Sequence, residues 1–293
     1  MKKSSYSYGL ALVAIFIVLR FFFIPTYKFL TSQLHPLAID VYTSIFVVVV
    51  LALLLKGKLK NFSSLKPAEK LDYFKLLVPA IIGGIALDVS ILYLPVKTVS
   101  VFISLLPIFV SLYSGWLLKE PVSKNLWMAA ILAAVGAIIF KTGGIIEFGL
   151  GDFLVLIGVL LFAFAPILNR KFIGKVGTYE LMFLGFAIGM IPIAVLAIFL
   201  GVMAPLPSDA FYLEVFAGYL IFLTLATSAI ATYVVKLIPA HTFVTLTTAL
   251  VPIGAISLGI FALGEKIYAN EILGGAIMIG AAMLAIWASN NKK

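Results

Sequence analysis

Arg20 and Asp88 are the two residues of this chain whose chemistry stands out most against their surroundings. Arg20 lies inside the apolar run 8–29 and Asp88 inside the run 74–94. A charge at the centre of a bilayer costs about 2.5–3.5 kcal/mol on insertion scales, so each needs a partner or a water-filled cavity. Counted from Tyr8 and Phe74, the two sit twelve and fourteen residues in, on runs that cross in the same direction. Their depths match, and an ion pair is geometrically allowed. Such a pair is either a static brace or a substrate-binding, proton-sensitive element. Asp40 and Lys28 fall nearer the ends of their runs and are expected to be solvated.

Hydroxyl groups supply the second pattern. Ser100, Ser104, Pro107, Ser111 and Ser114 recur at spacings of four, three, four and three, which keeps them on one helical face. His241, Thr245, Thr248 and Pro252 repeat the spacing of four, three and four. Thr224, Ser228, Thr232 and Lys236 add a third face at strict fours, with Thr227 beside Ser228. These faces are expected to line one central cavity. The candidate substrate-binding residues are therefore Arg20, Asp88, Ser104, Pro107, Thr227, Ser228, Thr245, Thr248 and Pro252. The competing role for each hydroxyl is local, because Ser and Thr also bond back to their own helix or join neighbouring helices. The prolines have two roles as well: each deletes a backbone bond, which either frees a carbonyl for a ligand or accommodates packing.

The elements that position these residues must be membrane helices. Hydrophobic residues make up 63% of the chain and charged residues 11%, far below the roughly 25% charge of a soluble domain. Ten apolar runs of membrane-crossing length follow: 8–29, 36–55, 74–94, 98–118, 125–140, 152–169, 179–201, 214–236, 242–263 and 270–288. The fold class is an all-α polytopic membrane protein. The first run lacks a small-residue cleavage site and reads as a retained helix. With the N-terminus placed inside, sixteen Lys and Arg fall in inner segments and four in outer ones, so both termini are expected to be cytoplasmic in a cell membrane. The net charge of +9 is then a matter of topology, and nucleic acid is not an expected partner.

A repeat organises the runs. Pro107 and Glu120 stand thirteen apart, as do Pro252 and Glu265, at a constant offset of 145. Five runs per half is an odd number, so the second half must enter the membrane with opposite orientation. Two inverted five-helix repeats, 1–146 and 147–293, are the mark of a secondary transporter that alternates access to a site between its halves. Runs five and ten carry small residues, Ala129, Ala133 and Ala137 in one and Gly274, Gly275, Gly280 and Ala281 in the other. They are expected to brace each half or to form a homodimer contact.

Taken together, these residues resemble the EamA-type branch of the drug/metabolite transporter superfamily over nearly the whole chain. The most specific pieces are Pro107 to Glu120, Pro252 with Gly264 and Glu265, Gly151-Asp152-Phe153-Leu154 and Asn169-Arg170-Lys171. Lys28 also stands where members often carry a lysine. The chain departs from the family pattern at Arg20-Phe21, where a Trp-Gly pair is frequent, and around Tyr42, where an arginine is frequent. The resemblance implies small metabolites as substrates, first among them exported amino acids or related metabolites. The alternative cargo is a lipophilic cation or drug.

Other chemistries are weakly represented. Gly149-Leu150-Gly151-Asp152 spells the GxGD signature of intramembrane aspartyl proteases, with Asp88 as the conceivable second carboxylate. Asp152, however, also opens a run, where Asp is a good helix cap. Gly174-Lys175-Val176 lacks the rest of a phosphate loop, so the driving force is expected to be a proton gradient or substrate exchange. With no Cys and two His, neither a metal nor another cofactor is expected.

Overall fold

The computed structural model describes residues 3–56, 59–119, 124–142 and 149–238, positions 240, 243–244, 246–247, 250–251, 254, 257–258 and 261, and residues 268–290. The chain runs through α1 (Lys3–Leu30), α2 (Pro36–Leu55), α3 (Pro67–Ser90), α4 (Val96–Leu117), α5 (Lys124–Thr142), α6 (Leu150–Val176), α7 (Thr178–Phe199), α8 (Ala210–Leu237) and α9 (Ala269–Asn290). No strand occurs among the described residues. Seven of these helices, α1 to α4 and α6 to α8, are long and apolar enough to cross a membrane. The apolar stretches in α5 and α9 are shorter, Trp127–Phe140 and Ala269–Ala281. The expected run 242–263 lies largely outside the described residues; those described within it are helical. Ten crossings are thus a count that belongs to the sequence.

Caps set several helix ends, as they must where no water reaches the backbone. His35 Nδ1 accepts the Leu37 N–H at 3.3 Å ahead of α2, and Pro36 opens that helix. Accepting this bond requires a neutral imidazole, and partial burial holds His35 below the usual imidazole range. Asp209 Oδ1 takes the Tyr212 N–H at 2.6 Å ahead of α8. Glu180, buried in the first turn of α7, accepts N–H groups of Asn61 (3.2 Å) and Phe62 (3.0 Å), which caps the helical turn Lys60–Ser63. α3 begins at Pro67, seven residues ahead of its expected run, because the turn Pro67–Tyr73 is helical yet too charged to score as apolar.

Two helices break just ahead of a proline. α4 is interrupted at Ser104 and Leu105 before Pro107, and α6 at Ala163 before Pro166. The missing N–H and the ring clash with the preceding turn explain both positions. Pro107 therefore starts a new helical segment instead of kinking a continuous one. α8 is wound as a π-helix over Tyr219–Ala226, a form concentrated at functional sites.

Packing joins the two halves of the chain: α1 lies against α8, α2 against α7, α3 against α6 and α5 against α9. Small residues permit the closest of these contacts. A Cβ on Gly158 would meet Leu87 Cγ at 2.7 Å, and one on Gly83 would strike the Phe162 backbone. A Cβ on Gly136 would meet Met278 Cγ at 2.7 Å and the Gly274 carbonyl at 2.9 Å. α5 and α9 thus pack on each other across the halves.

Candidate functional site

Between these helices lies a cavity of about 470 Å³. Its wall is mostly apolar, and the polar side chains are few and convergent. Arg20 comes from α1, Asp40 and Thr43 from α2, Asp88 from α3, Ser100 from α4, Asn169 from α6, and Tyr219, Thr224, Ser228 and Thr232 from α8. α7 contributes only apolar residues and glycine, among them Phe186 and Gly189. Phe243, Val244, Thr247 and Val251 close the wall from the partly described segment. The three charged residues of the wall among the described residues belong to α1, α2 and α3. The second half supplies hydroxyls and an amide.

Arg20 and Asp88 share this wall and feel each other's charge. They form no ion pair within 4 Å among the described residues, so the pair that the depths allowed is here a longer-range interaction. The Arg20 guanidinium instead lies over aromatic faces, 4.0 Å from the Phe23 ring centre and 5.3 Å from that of Phe16. This cation–π arrangement lets a charge rest against an apolar wall. Asp88 sits in the last turn of α3, because the helix ends at Ser90 and not at 94 as its run suggested.

Asp40 corrects the expectation of a solvated surface carboxylate. The Tyr27 hydroxyl donates to Asp40 Oδ1 at 2.8 Å, and Tyr27 itself is fully buried against Tyr219 at 5.8 Å. Asp40 and Asp88 line the same cavity, and their carboxyl groups interact there. Asp40 Oδ2 and Thr43 Oγ1 are buried without a partner among the described residues. Asp40 and Thr43 are three apart on α2, a spacing that places both on one face; that short polar pair in an apolar run was the overlooked signal. Lys28 is also half-buried, and its ammonium donates to the Ile91 carbonyl.

The other expected residues divide. Thr227 and Ser228 belong to the cavity wall, but the Thr227 hydroxyl donates to the Leu223 carbonyl of its own helix. Ser104 and Pro107 are not part of the described wall. Ser104 donates to the Val101 carbonyl at 2.6 Å and lies 3.9 Å from Met278 Sδ. Thr245, Thr248 and Pro252 lie outside the described residues, as do His241, Glu120, Gly264 and Glu265.

The GxGD tetrapeptide has a structural role. Asp152, buried at the start of α6, accepts the Gly149 N–H at 3.0 Å, and a Cβ on Gly151 would meet Tyr93 Cβ at 2.6 Å. Asp152 is not part of the described cavity wall that holds Asp88, so the two carboxylates of a protease are not brought together there. No metal-binding cluster of acidic or imidazole side chains occurs among the described residues.

A helical membrane bundle with a polar-studded cavity among its described residues suits a transporter. The EamA-like transporter family model matches the chain twice, over residues 7–142 and 149–287, and the chain belongs to this family. Its members are transporters, not enzymes, and the chain is a multi-pass membrane protein with a small-molecule substrate. None of the curated proteins compared with it matches. A solved crystal structure is similar to it at 15% identity with a TM-score of 0.72, over 98% of this chain and 99% of that one. At that identity the likeness concerns the fold.

Proposed function

We propose that this protein is a secondary carrier that moves small metabolites across the cell membrane by alternating access, exporting amino acids or related compounds. The carrier is built of two inverted five-helix repeats, 1–146 and 147–293, with ten crossing helices and both termini in the cytoplasm. The observation that supports this most is the mixed charge of the cavity: Arg20, Asp40 and Asp88 share one mostly apolar wall. A metabolite with both an anionic and a cationic group finds a complement to each there, and its apolar remainder meets the aromatic wall.

A second reading, export of lipophilic cations, draws on the same wall. It holds two carboxyl groups to one guanidinium, and Asp88 has no ion pair within 4 Å among the described residues. Uptake by the purified chain in proteoliposomes, with a panel of amino acids, other metabolites and lipophilic cations, separates the two. Each substrate is offered with and without a proton gradient. Saturable uptake of zwitterions, lost in Arg20→Gln, supports the first reading. Uptake confined to cations and indifferent to Arg20→Gln supports the second. A panel in which no compound moves faster than in empty liposomes counts against both.

A further inference from the structure

The ionisable groups of the cavity do not balance. Arg20 brings one positive charge from α1, while Asp40 on α2 and Asp88 on α3 bring two carboxyl groups in mutual reach. Tyr27 and Tyr219 are the other titratable groups turned toward them, from α1 and α8. Among the described residues, α4, α6 and α7 add no titratable side chain to the wall. Two carboxylates in one apolar site repel each other, so with no cation beside them they favour sharing one proton. The one negative charge that remains is matched by Arg20.

Hydrogen bonding around the pair is equally incomplete. Tyr27 occupies Asp40 Oδ1 at 2.8 Å, and Asp40 Oδ2 is left buried with no donor among the described residues. Thr43, 4% exposed, brings a second unpartnered oxygen to the same wall from one turn further along α2. A buried polar oxygen without a partner is expensive, so both atoms point to a group that completes the site. A proton shared by the carboxyl pair supplies the donor that Asp40 Oδ2 lacks.

We propose, building on the carrier reading above, that Asp40 and Asp88 form a single-proton site in the cavity wall that couples cargo movement to proton movement. Asp40 and Asp88 bind the proton, Tyr27 orients Asp40, and Arg20 carries the compensating charge. Taking one proton from water changes the three-residue site from net negative to neutral. A cationic group of the cargo restores the same balance when the proton leaves, so proton and cargo exclude each other and the carrier exchanges one for the other.

The test is infrared spectroscopy of the full chain in lipid nanodiscs, titrated across the neutral range with no cargo present. The expected result is a carbonyl band of a protonated carboxyl that titrates as a single proton. It is lost in Asp40→Asn and in Asp88→Asn and kept in Asp152→Asn. Asp40→Glu and Asp88→Glu retain a carboxyl and shift the band, which decides the matter where an Asn variant does not fold. A band kept at full amplitude in both Asn variants, or no such band in the folded wild type, overturns the proposal. Because the spectrum is read without cargo, its outcome is independent of the uptake panel. Uptake of a panel substrate that ignores a proton gradient overturns the coupling while leaving the carrier reading intact.

Discussion

The Lys97 ammonium and the Glu271 carboxylate stand 2.6 Å apart, and each side chain is only 9% exposed. Lys97 lies in the first turn of α4 and Glu271 in the first turn of α9, so the pair ties the first repeat to the second. Removing one partner of a buried pair costs about 3–5 kcal/mol, whereas neutralising both is far cheaper. Lys97→Met and Glu271→Gln are each expected to lower the melting temperature in detergent, and the double variant to recover most of the loss. The Gln retains an acceptor for the Tyr268 N–H, which Glu271 takes at 2.8 Å. Losses that simply add in the double variant would show that the two charges are not coupled.

Arg20 is held by aromatic faces, so shape matters as well as charge. A hydrogen bond to a charged group contributes about 1.5–3 kcal/mol, and Arg20→Gln is expected to raise the half-saturating cargo concentration at least about tenfold. Arg20→Lys keeps the charge but loses the guanidinium contact over the Phe23 ring, so it restores only part of the affinity. Melting temperatures of both variants should stay near wild type. A fully active Arg20→Gln carrier would remove Arg20 from the binding role.

Thr227 and Ser228 are neighbours with different expected effects. The Thr227 hydroxyl is already bonded to the Leu223 carbonyl. Hydroxyl bonds in membrane bundles average about 0.6 kcal/mol, so Thr227→Val should change stability by no more than that and leave uptake unchanged. Ser228→Val, which removes a hydroxyl from the cavity wall, is expected to weaken uptake severalfold. Equal effects at both positions would contradict this assignment.

The contact of α5 with α9 depends on absent side chains. A Cβ on Gly274 would strike the Phe140 backbone and the Gly136 carbonyl. Overpacking against side chains costs about 1–3 kcal/mol, and backbone gives way less readily. Gly274→Val is therefore expected to reduce the yield of monodisperse protein on size exclusion, while Gly275→Ala, which meets nothing within 4 Å, leaves it unchanged.

Topology is open to a direct test because the chain contains no cysteine. Ser63 and Ser208 are exposed, in the connection ahead of α3 and the connection ahead of α8. Ser63→Cys is expected to react with an impermeant maleimide only in opened cells, and Ser208→Cys in intact ones. The reverse pattern would invert the proposed orientation.

Helix class and family were legible in the sequence because apolar length and the repeated Pro-to-Glu spacing are local patterns. The cavity was legible in part. Arg20 and Asp88 stood out by charge, but the end of α3 is set by the turn before Pro95, and apolarity alone placed it four residues too late. Asp40 was misread because distance from a run's end measures depth only where nothing covers that end. Tyr27 covers it, from a helix whose approach no periodicity announces. The turning of Ser104 and Thr227 toward their own backbones was equally invisible, since spacing places a hydroxyl on a face and does not choose its acceptor.

The frame of this protein is doubled, yet its electrostatics are not. Arg20, Asp40 and Asp88 all stand on α1, α2 and α3, and among the described residues the second repeat offers the cavity neutral dipoles alone. In a carrier that rocks one repeat against the other, these three residues travel as one body and keep their mutual field. The opposing wall merely slides past a cargo that the first repeat grips. On the carrier proposal, the cargo then meets the same fixed charges in both conformations, set against a neutral wall that changes around it.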